Sequence, residues 1–206
     1  MEEKLKVIVA CEFSGTVRDA FLALGHDAVS CDLLPTEVAG PHIQGDIKDV
    51  DLTQYDLMIA HPPCTHLSVA GARYFKDKEQ EQKDALDFVR YLLDAPVPRI
   101  AIENPVSVIS TRIRKASQYV QPYEYGDSYS KKTGLWLKNL PLLQSTNLVD
   151  KGEMVTFSSG RTMPKWYADA FRLPKEQRWR VRSRFSPGIA KAMAEQWGSL
   201  GPLSSA

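Results

Sequence analysis

The sequence predicts an α/β domain with a mostly parallel, doubly wound sheet and helices on both faces. Short apolar segments alternate with amphipathic ones, which is typical of this fold class. Two apolar segments are followed by polar triplets, Pro62-Pro63-Cys64 and Glu103-Asn104-Pro105. Short, fully apolar runs are typical of strands buried on both faces of a parallel sheet. The triplets are therefore expected at the carboxyl edge of the sheet, where open α/β sheets bind ligands.

The first half of the chain is predicted to alternate strands and helices. Strands are predicted at residues 6–10, 27–31, 42–46, 55–60 and 99–102. Helices are predicted at residues 16–24 and 76–94. Gly25 ends the first helix and Pro96 ends the second, because glycine favours the left-handed conformation and proline cannot continue a helix.

The alternation loosens after Glu103. A short helix is predicted within residues 106–119, a late strand at 134–137 and a last helix at 189–197. Between Gln144 and Pro174 the periodicity fades, and an irregular insertion is expected. The chain is thus divided into a core over 1–143, an insertion over 144–182 and a C-terminal segment over 183–206 that returns to the core.

Length and composition bound the class of protein. The 206 residues fit one domain, and 43% apolar with 25% charged residues is ordinary for a globular protein. No apolar run approaches the ~20 residues of a membrane span, so no membrane partner is expected. The first residues also lack the apolar stretch of a signal peptide. No feature of the sequence indicates the oligomeric state.

Three cysteines, Cys11, Cys31 and Cys64, form an odd set without CxxC spacing. This pattern counts against a disulfide framework and against a zinc cluster, so no metal is expected. Free thiols fit a reducing cytoplasm. Cys64 differs from an inert buried cysteine because it follows two prolines at a strand end, with His61 and His66 close by.

A turn with the sequence Glu12-Phe13-Ser14-Gly15 joins the first strand to the first helix. A glycine there lets the backbone approach a ligand, and a helix start offers backbone donors. Asp32 follows Gly15 by 17 residues, close to the spacing at which dinucleotide-binding folds place an acid on ribose hydroxyls. Asp46 could accept from an adenine amine. Together these residues predict a nucleoside site, with simple strand-end capping as the alternative, and the missing GxGxxG counts against nicotinamide.

The pair of Cys64 and Glu103 suggests covalent attack on a ring that is protonated as it is attacked. A cysteine with an ordinary pKa of ~8.5 is mostly protonated at neutral pH, so an active Cys64 needs a helix start or a cation nearby. Asn104 is expected to hold its loop through side-chain bonds to backbone. The alternative for Glu103 is a helix cap.

Taken together, these residues resemble the DNA cytosine C5-methyltransferases, and in particular their short, phage-type members. Pro63-Cys64 with Ser68 resembles the family's catalytic Pro-Cys-Gln-x-x-Ser, with Thr65 in place of Gln. Glu103-Asn104-Pro105 resembles its Glu-Asn-Val, and Phe13-Ser14-Gly15 resembles its cofactor loop without the later glycines. The family's Gln-x-Arg-x-Arg motif is absent, and residues 144–182 are far shorter than its usual recognition domain.

The resemblance implies a Rossmann-like, S-adenosylmethionine-dependent methyltransferase fold, in the cytoplasm of a bacterial host cell if the chain is phage-encoded. It implies that Cys64 adds to C6 of a DNA cytosine, opposite Glu103, with Asn104 and Ser68 as further catalytic residues. S-adenosylmethionine would be bound by Glu12, Phe13, Ser14, Gly15, Asp32, Asp46 and Pro62. Residues 144–182 would be a reduced target-recognition insertion.

The charge is unevenly distributed, and this favours a polyanion partner. Residues 1–60 carry a net charge of −7, whereas residues 151–206 carry +6. Four arginines alternate at period two and would share one face of a strand; these are Arg178, Arg180, Arg182 and Arg184. Phosphate contact is the expected role for them and for Lys131 and Lys132, with Arg112, Arg114 and Lys115 extending the track. A solvated edge strand is the alternative.

Three alternatives to DNA methylation stay open. The chain could methylate a cytosine nucleotide or an RNA, because its recognition insertion is small. It could be a non-catalytic factor that binds DNA or a host protein on the same fold. It could also use a modified sulfonium that delivers a group larger than methyl.

Overall fold

The computed structural model describes residues 4–70 and 77–201, so residue 76 of the predicted second helix and the end of the C-terminal segment lie outside it. Seven strands form one sheet in the order β3-β2-β1-β4-β5-β7-β6. Their bounds are β1 Lys6–Ala10, β2 Asp27–Asp32, β3 His42–Gln44, β4 Leu57–Ala60, β5 Arg99–Pro105, β6 Gln118–Val120 and β7 Thr133–Lys138.

The sheet is parallel from β3 to β5, and β7 runs antiparallel to both of its neighbours, β5 and β6. The predicted α/β class with a mostly parallel sheet is therefore confirmed, and it is compatible with a Rossmann-like fold. β2 and β3 lie on one side of β1, whereas β4 and the later strands lie on its other side. The crevice at the carboxyl ends of β1 and β4 is thus the switch point at which doubly wound sheets bind ligands.

Helices cover both faces of the sheet, as the continuous burial of the central strands requires. The helices are α1 Thr16–Ala23, α2 Glu79–Leu93, α3 Ile109–Arg112, α4 Lys165–Ala170, α5 Lys175–Ser183 and α6 Pro187–Gly198. On β1, Val7 and Val9 point into one apolar cluster with α1 and α6, while Ile8 and Ala10 point into a second cluster with α2. Among the described residues, no helix is both long and apolar enough to cross a membrane.

The last helix begins as the sequence predicts. Ser186 is the N-cap residue of α6, and its hydroxyl accepts a hydrogen bond from the backbone N–H of Ile189 at 3.2 Å. Pro187 occupies the first turn, where its missing N–H costs nothing. α6 packs against α1, so the chain returns to the core after the insertion.

The prediction that the fifth strand ends at Ile102 is wrong. β5 runs on through the triplet, because Glu103, Asn104 and Pro105 pair with the start of β7. An antiparallel partner can extend a strand beyond its apolar run, and the sequence around Glu103 carries no local signal of that partner. Glu103 is therefore held by a ladder of backbone hydrogen bonds on a rigid strand.

The predicted irregular insertion contains regular structure. Strands β8 (Met154–Thr156) and β9 (Thr162–Pro164) form a hairpin, and α4 follows directly. The hairpin strands have three residues each, which is too short for a period-two pattern to be recognised in the sequence. Gly160, with a φ of 78°, supplies the left-handed residue of the connecting turn.

The prediction that the four arginines lie on a strand is also wrong. Arg178, Arg180 and Arg182 belong to helix α5, and Arg184 follows its end. Pro174 precedes the helix, and the Arg, Lys, Glu and Gln side chains of this segment all favour helix. Successive helical residues are rotated by about 100°, so the arginines spread around the helix axis and do not share one face.

Candidate active site

The loop after β4 places Cys64 at the carboxyl edge of the sheet. The carbonyl of Cys64 accepts the backbone N–H groups of Leu67 at 3.1 Å and Ser68 at 2.9 Å, which closes a tight turn around the thiol. Ser68 also forms an isolated antiparallel bridge with Ser107, beyond the end of β5. The Cys64 loop is therefore anchored to the segment that follows Glu103. The hydroxyl of Ser68 accepts the N–H of Ala70 at 3.3 Å within its own loop.

Glu103 forms a close pair with His61, which is the first residue after β4. His61 Nδ1 lies 2.8 Å from Glu103 Oε2, and both side chains are almost buried, at 13% and 10% exposure. The His61 ring also packs against Phe185 with 4.8 Å between ring centroids. Adjacent parallel strands thus bring together two residues that are 42 positions apart in the chain.

Asn104 connects the two triplets directly. Its side-chain Nδ2 donates to the carbonyl of Pro62 at 2.8 Å, as expected for a residue that holds its loop through backbone. Pro62, predicted as a cofactor residue, is buried and serves as the acceptor of this bond. Asn104 therefore fixes the Cys64 loop relative to Glu103.

Three buried polar atoms at this edge have no hydrogen-bond partner within residues 4–70 and 77–201. They are His61 Nε2, Asn104 Oδ1 and Ser107 Oγ. Buried polar groups are almost always paired in folded proteins, and unpaired ones commonly mark sites completed by a ligand or water. All three lie at or just beyond the adjoining ends of β4 and β5, which makes this edge the strongest candidate for a polar ligand site.

Electrostatics couple Cys64 to its surroundings. Burial raises the pKa of the Cys64 thiol, the negative charge of Glu103 raises it further, and the charges of Lys131 and Arg182 act in the opposite direction. At neutral pH the protein therefore holds Cys64 as a thiol, and a thiolate forms more easily when Glu103 is neutralised.

Lys131 and Tyr129 complete the cluster around Glu103. Burial lowers the pKa of the Lys131 ammonium, although Glu103 and Cys64 favour its charged form, and its Nζ donates to the carbonyl of Arg184 at 2.7 Å. Burial, followed by the charge of Asp127, raises the pKa of Tyr129 to about 12, and Glu103 adds to this shift. Lys131 thus belongs to the reactive cluster as well as to the predicted nucleic-acid residues.

The turn after β1 is arranged differently from the sequence prediction. Glu12 is buried, and its carboxylate accepts the backbone N–H of Val17 at 2.6 Å and of Arg18 at 3.2 Å. Glu12 therefore satisfies the donors at the start of α1 that were expected to face a ligand. Ser14 contributes to the same network, with its hydroxyl 3.3 Å from Glu12 Oε1 and 3.1 Å from Thr16 Oγ1.

Gly15 has a packing role that the sequence did not predict. Its φ is 74°, and a Cβ there would lie 2.4 Å from Arg18 Nη2 and 2.7 Å from Val38 Cγ2. Packing of the protein on itself therefore favours the glycine independently of any ligand. Arg18 is fully buried, and its guanidinium donates to hydroxyl and carbonyl oxygens of β2 and of the following loop, namely those of Ser30, Thr36, Val38, Ala39 and Pro41.

Phe13, Asp32 and Asp46 lie near the carboxyl ends of β1, β2 and β3, on the other side of the crevice. The Phe13 carbonyl accepts the N–H of Glu37 at 2.8 Å, and its half-buried ring lies 5.6 Å from the ring of Trp179 on α5. Asp32 is half-buried at the end of β2, and burial raises the pKa of its carboxyl. Asp46 is exposed and caps a short 3₁₀ turn by accepting the N–H of Lys48 at 3.0 Å, which matches the capping alternative.

These residues fit a nucleoside cofactor that carries no phosphate. Asp32 Oδ1 accepts the N–H of Leu34 at 2.9 Å, and the other carboxyl oxygen can accept ribose hydroxyls. The α1 start, where a phosphate would bind, is already occupied by the Glu12 carboxylate. A second negative group there would be repelled, whereas a cationic sulfonium would be attracted.

The predicted nucleic-acid residues separate into two groups. Lys131 and Arg182 act on Cys64, whereas Lys132 is exposed with its Nζ 4.7 Å from the Tyr119 ring centroid. Arg112 and Arg114 lie at the opposite edge of the sheet, in a groove of about 790 Å³ that Arg90 and Lys138 also line. β7 runs antiparallel to β5, so its carboxyl end, which Arg114 contacts, lies at the amino ends of the parallel strands. The expectation that Arg112 and Arg114 extend the same track is therefore wrong.

Sequence reasoning missed the role of several residues in this cluster. His61 was noted only as a polar neighbour of Cys64, although its position directly after a buried strand is the signal that could have placed it at the edge. Tyr129 and Phe185 carry no recognisable signal, because their contacts join distant parts of the chain. No group of three or more potential metal ligands occurs within residues 4–70 and 77–201.

Comparisons with known proteins do not assign the chain to a family. No family model matches it. No curated protein matches it significantly.

Proposed function

We propose that the protein transfers a methyl group from S-adenosylmethionine to C5 of a cytosine in DNA, through a covalent adduct with Cys64. One observation carries this proposal, namely that the Cys64 thiol and the Glu103 carboxyl share one sheet edge and interact electrostatically. Asn104 ties their loops together at 2.8 Å. A nucleophile and an acid held in this way suit attack on a polarised ring.

The chemistry of cytosine explains why both groups are needed. C5 is a poor nucleophile, and addition of a thiolate at C6 converts the ring into an enamine whose C5 is electron-rich. As the bond between sulfur and C6 forms, the Glu103 carboxyl passes a proton to N3. After C5 has accepted the methyl group, a base takes the C5 proton, the thiolate leaves and N3 returns its proton to Glu103, which restores the ring and the enzyme.

The coupling between Cys64 and Glu103 makes thiolate formation depend on the substrate. Because the negative charge of Glu103 raises the pKa of Cys64, protonation of Glu103 or its hydrogen bond to the base lowers that pKa. Lys131 and Arg182 favour the thiolate in the same way. The nucleophile is thus formed preferentially when a cytosine lies against Glu103.

The crevice beside this edge accommodates the proposed cofactor. Asp32 would bind the ribose hydroxyls, and the ring of Phe13 would lie beside the nucleoside. S-adenosylmethionine supplies an electrophilic methyl group when it is bound. The carboxylates of Glu12 and Asp32 make this crevice acidic, which suits a cationic sulfonium.

The proposal is tested by incubating the purified protein with methyl-labelled S-adenosylmethionine and parallel substrates. Duplex DNA, single-stranded DNA, RNA and dCMP separate the nucleic-acid and nucleotide alternatives. DNA containing 5-fluorocytosine should trap Cys64 as a covalent adduct, since fluorine at C5 cannot leave as a proton does. Binding of DNA without label transfer to any substrate would favour a non-catalytic factor, and a labelled product without an adduct at Cys64 would contradict the mechanism.

A further inference from the structure

Aromatic rings and arginines alternate on the small subdomain beside the candidate site. We define the aromatic–arginine surface as Tyr167, Phe171, Trp179, Arg180 and Arg182. The Arg182 guanidinium lies 5.0 Å from the Tyr167 ring centroid and 5.8 Å from that of Phe171. Arg180 lies 5.5 Å from the Trp179 ring. Phe171 and Trp179 remain 46% and 43% exposed, which is unusual for large aromatic side chains without a partner.

This surface leads into the candidate active site. Consecutive ring contacts connect Phe171, Tyr167, Trp166 and Tyr129, at centroid distances of 5.2, 5.5 and 5.6 Å. Tyr129 is close enough to Glu103 for that charge to raise its pKa. A line of aromatic side chains therefore extends from the surface to the neighbourhood of Glu103.

Helix α5 and the residues after it border the site on two sides. Trp179 contacts Phe13 at the turn after β1, and Phe185 contacts His61 at the end of β4. The charge of Arg182 reaches both Cys64 and Lys131. A molecule bound along α5 thus lies next to the thiol.

The charge of the surface is not balanced by carboxylates. Residues 151–184 contain nine basic and three acidic side chains. Asp169 forms ion pairs with Lys165, whose Nζ lies 2.5 Å from Oδ2, and with Arg172, whose Nη1 lies 3.1 Å from Oδ1. The arginines of α5 are Arg178, Arg180 and Arg182, and none of them forms an ion pair within the part of the chain that the structure describes. Guanidinium groups that have no carboxylate partner suit a phosphodiester backbone.

Exposed aromatic side chains distinguish between paired and unpaired nucleic acid. The bases of a duplex present only their edges, whereas unpaired bases can stack on aromatic side chains while cations bind the backbone. An unpaired cytosine also enters a catalytic pocket without the unstacking that a duplex requires. Phosphate contact alone would need the arginines but not the exposed rings of Phe171 and Trp179.

We infer that the aromatic–arginine surface binds single-stranded DNA and delivers an unpaired cytosine to Cys64. This inference rests on the proposed function for the fate of the cytosine, and on the surface alone for binding. The strand crosses α5: one base stacks on Phe171 with its phosphate on Arg182, and another stacks on Trp179 with its phosphate on Arg180.

Binding is measured by fluorescence anisotropy with the full chain, without S-adenosylmethionine. Labelled cytosine-containing strands of about 12 nucleotides are compared as single-stranded DNA, as duplex and as RNA. The single DNA strand is expected to bind at least about tenfold more tightly than the duplex at equal salt, because only the single strand stacks on the rings. Tighter binding of either the duplex or the RNA strand would overturn the inference.

Variants separate stacking from general apolar or ionic attraction. Phe171→Leu keeps apolar bulk but removes the ring, and it should weaken single-strand binding about fivefold or more. Tyr91→Leu is the matched control, since Tyr91 is 37% exposed, stacks on Phe88 and lies 6.0 Å from the ammonium of Lys48, but belongs to helix α2 and not to the aromatic–arginine surface. Equal binding by both variants would contradict the stacking role.

A second pair of variants tests the contribution of charge to binding. Arg180→Gln should weaken binding and reduce its salt dependence, whereas Lys191→Gln on α6 should do neither. Failure of these binding results is distinguishable from failure of the proposed function. A protein that binds single strands as expected but transfers no methyl group contradicts only the latter.

Discussion

The two halves of the switch-point crevice differ in how their polar side chains are satisfied. At the ends of β4 and β5, His61 Nε2 and Asn104 Oδ1 are buried and have no partner among the residues that the structure describes, and Cys64 is surrounded by charges. At the end of β1, Glu12 caps α1 with two backbone hydrogen bonds. The first half has polar atoms left for another molecule to bond, whereas much of the second half stabilises the protein itself. The hydrogen bonds of each half, rather than the motif that it resembles, show what its residues do in the fold.

The largest effect is expected from removing the thiol in the reactive half. Cys64→Ala should abolish the fluorocytosine adduct and reduce methyl transfer by ~10⁴-fold or more, since no other group supplies the nucleophile. Cys31→Ala is the matched control, because that thiol lies on β2, is buried in the core and should affect stability but not adduct formation. An adduct that survives Cys64→Ala would move the reaction away from this edge.

Glu103→Gln is expected to have a smaller effect and to change two measurements in opposite directions: Cys64 becomes easier to alkylate, and methyl transfer becomes slower. Loss of the negative charge lowers the pKa of Cys64, so alkylation of Cys64 by iodoacetamide should begin at lower pH. Loss of the acid should reduce methyl transfer by about 10²- to 10⁴-fold. The alkylation profile is read by peptide mass spectrometry and the transfer by label incorporation. If both activities fall together, Glu103 acts through the fold and not through its charge.

Gly15→Ala tests the structural half of the comparison. Because φ is 74° and a Cβ would meet Arg18 at 2.4 Å, the substitution should destabilise the protein by more than about 1 kcal/mol. Urea unfolding measures the change. Gly45→Ala, where nothing lies within 4 Å of the added Cβ, is the control and should be nearly neutral. Full stability of Gly15→Ala together with lost cofactor binding would restore the ligand role predicted from the sequence.

The last effect is absent at neutral pH and appears only under alkaline conditions. Burial raises the pKa of Cys11 to about 12 and that of Cys31 to about 11, and it raises those of Tyr125 and Tyr129 to about 12. Above pH ~9 the unfolded chain releases these protons while the folded chain keeps them, so the free energy of unfolding should fall as pH rises.

Chemical denaturation between pH 8 and pH 11 checks this expectation. Cys11→Ala should flatten the decline near pH 9 to 10, since it removes the thiol with the largest shift. A stability that is constant up to pH 11 would contradict the burial of these groups.

The sequence predicted those features that depend on local signals. Gly25 marked the end of α1, Pro187 marked the start of α6, and apolar runs marked β1 and β4. It failed where a distant partner decides the structure. The extension of β5 through Glu103 depends on β7, and the helical state of Arg178 to Arg182 was hidden by an accidental alternation.

The same distinction explains the site. Neighbouring strand ends placed Cys64 and Glu103 at one edge, and the sheet order confirms that β4 and β5 are adjacent. The contact between His61 and Glu103, and the buried guanidinium of Arg18 behind Gly15, required knowledge of side-chain packing. No pattern in one sequence encodes such contacts.

The bond from Asn104 to Pro62 has a mechanical consequence. It joins the strand that bears the acid to the loop that bears the nucleophile, so thermal motion displaces the two reactive groups together rather than separately. The α5 segment is not part of this bond, and its end contacts the edge separately, through Phe185 on His61 and through the Arg184 carbonyl on Lys131. Substitutions in α5 can therefore alter substrate binding while the bond between the two reactive segments stays in place.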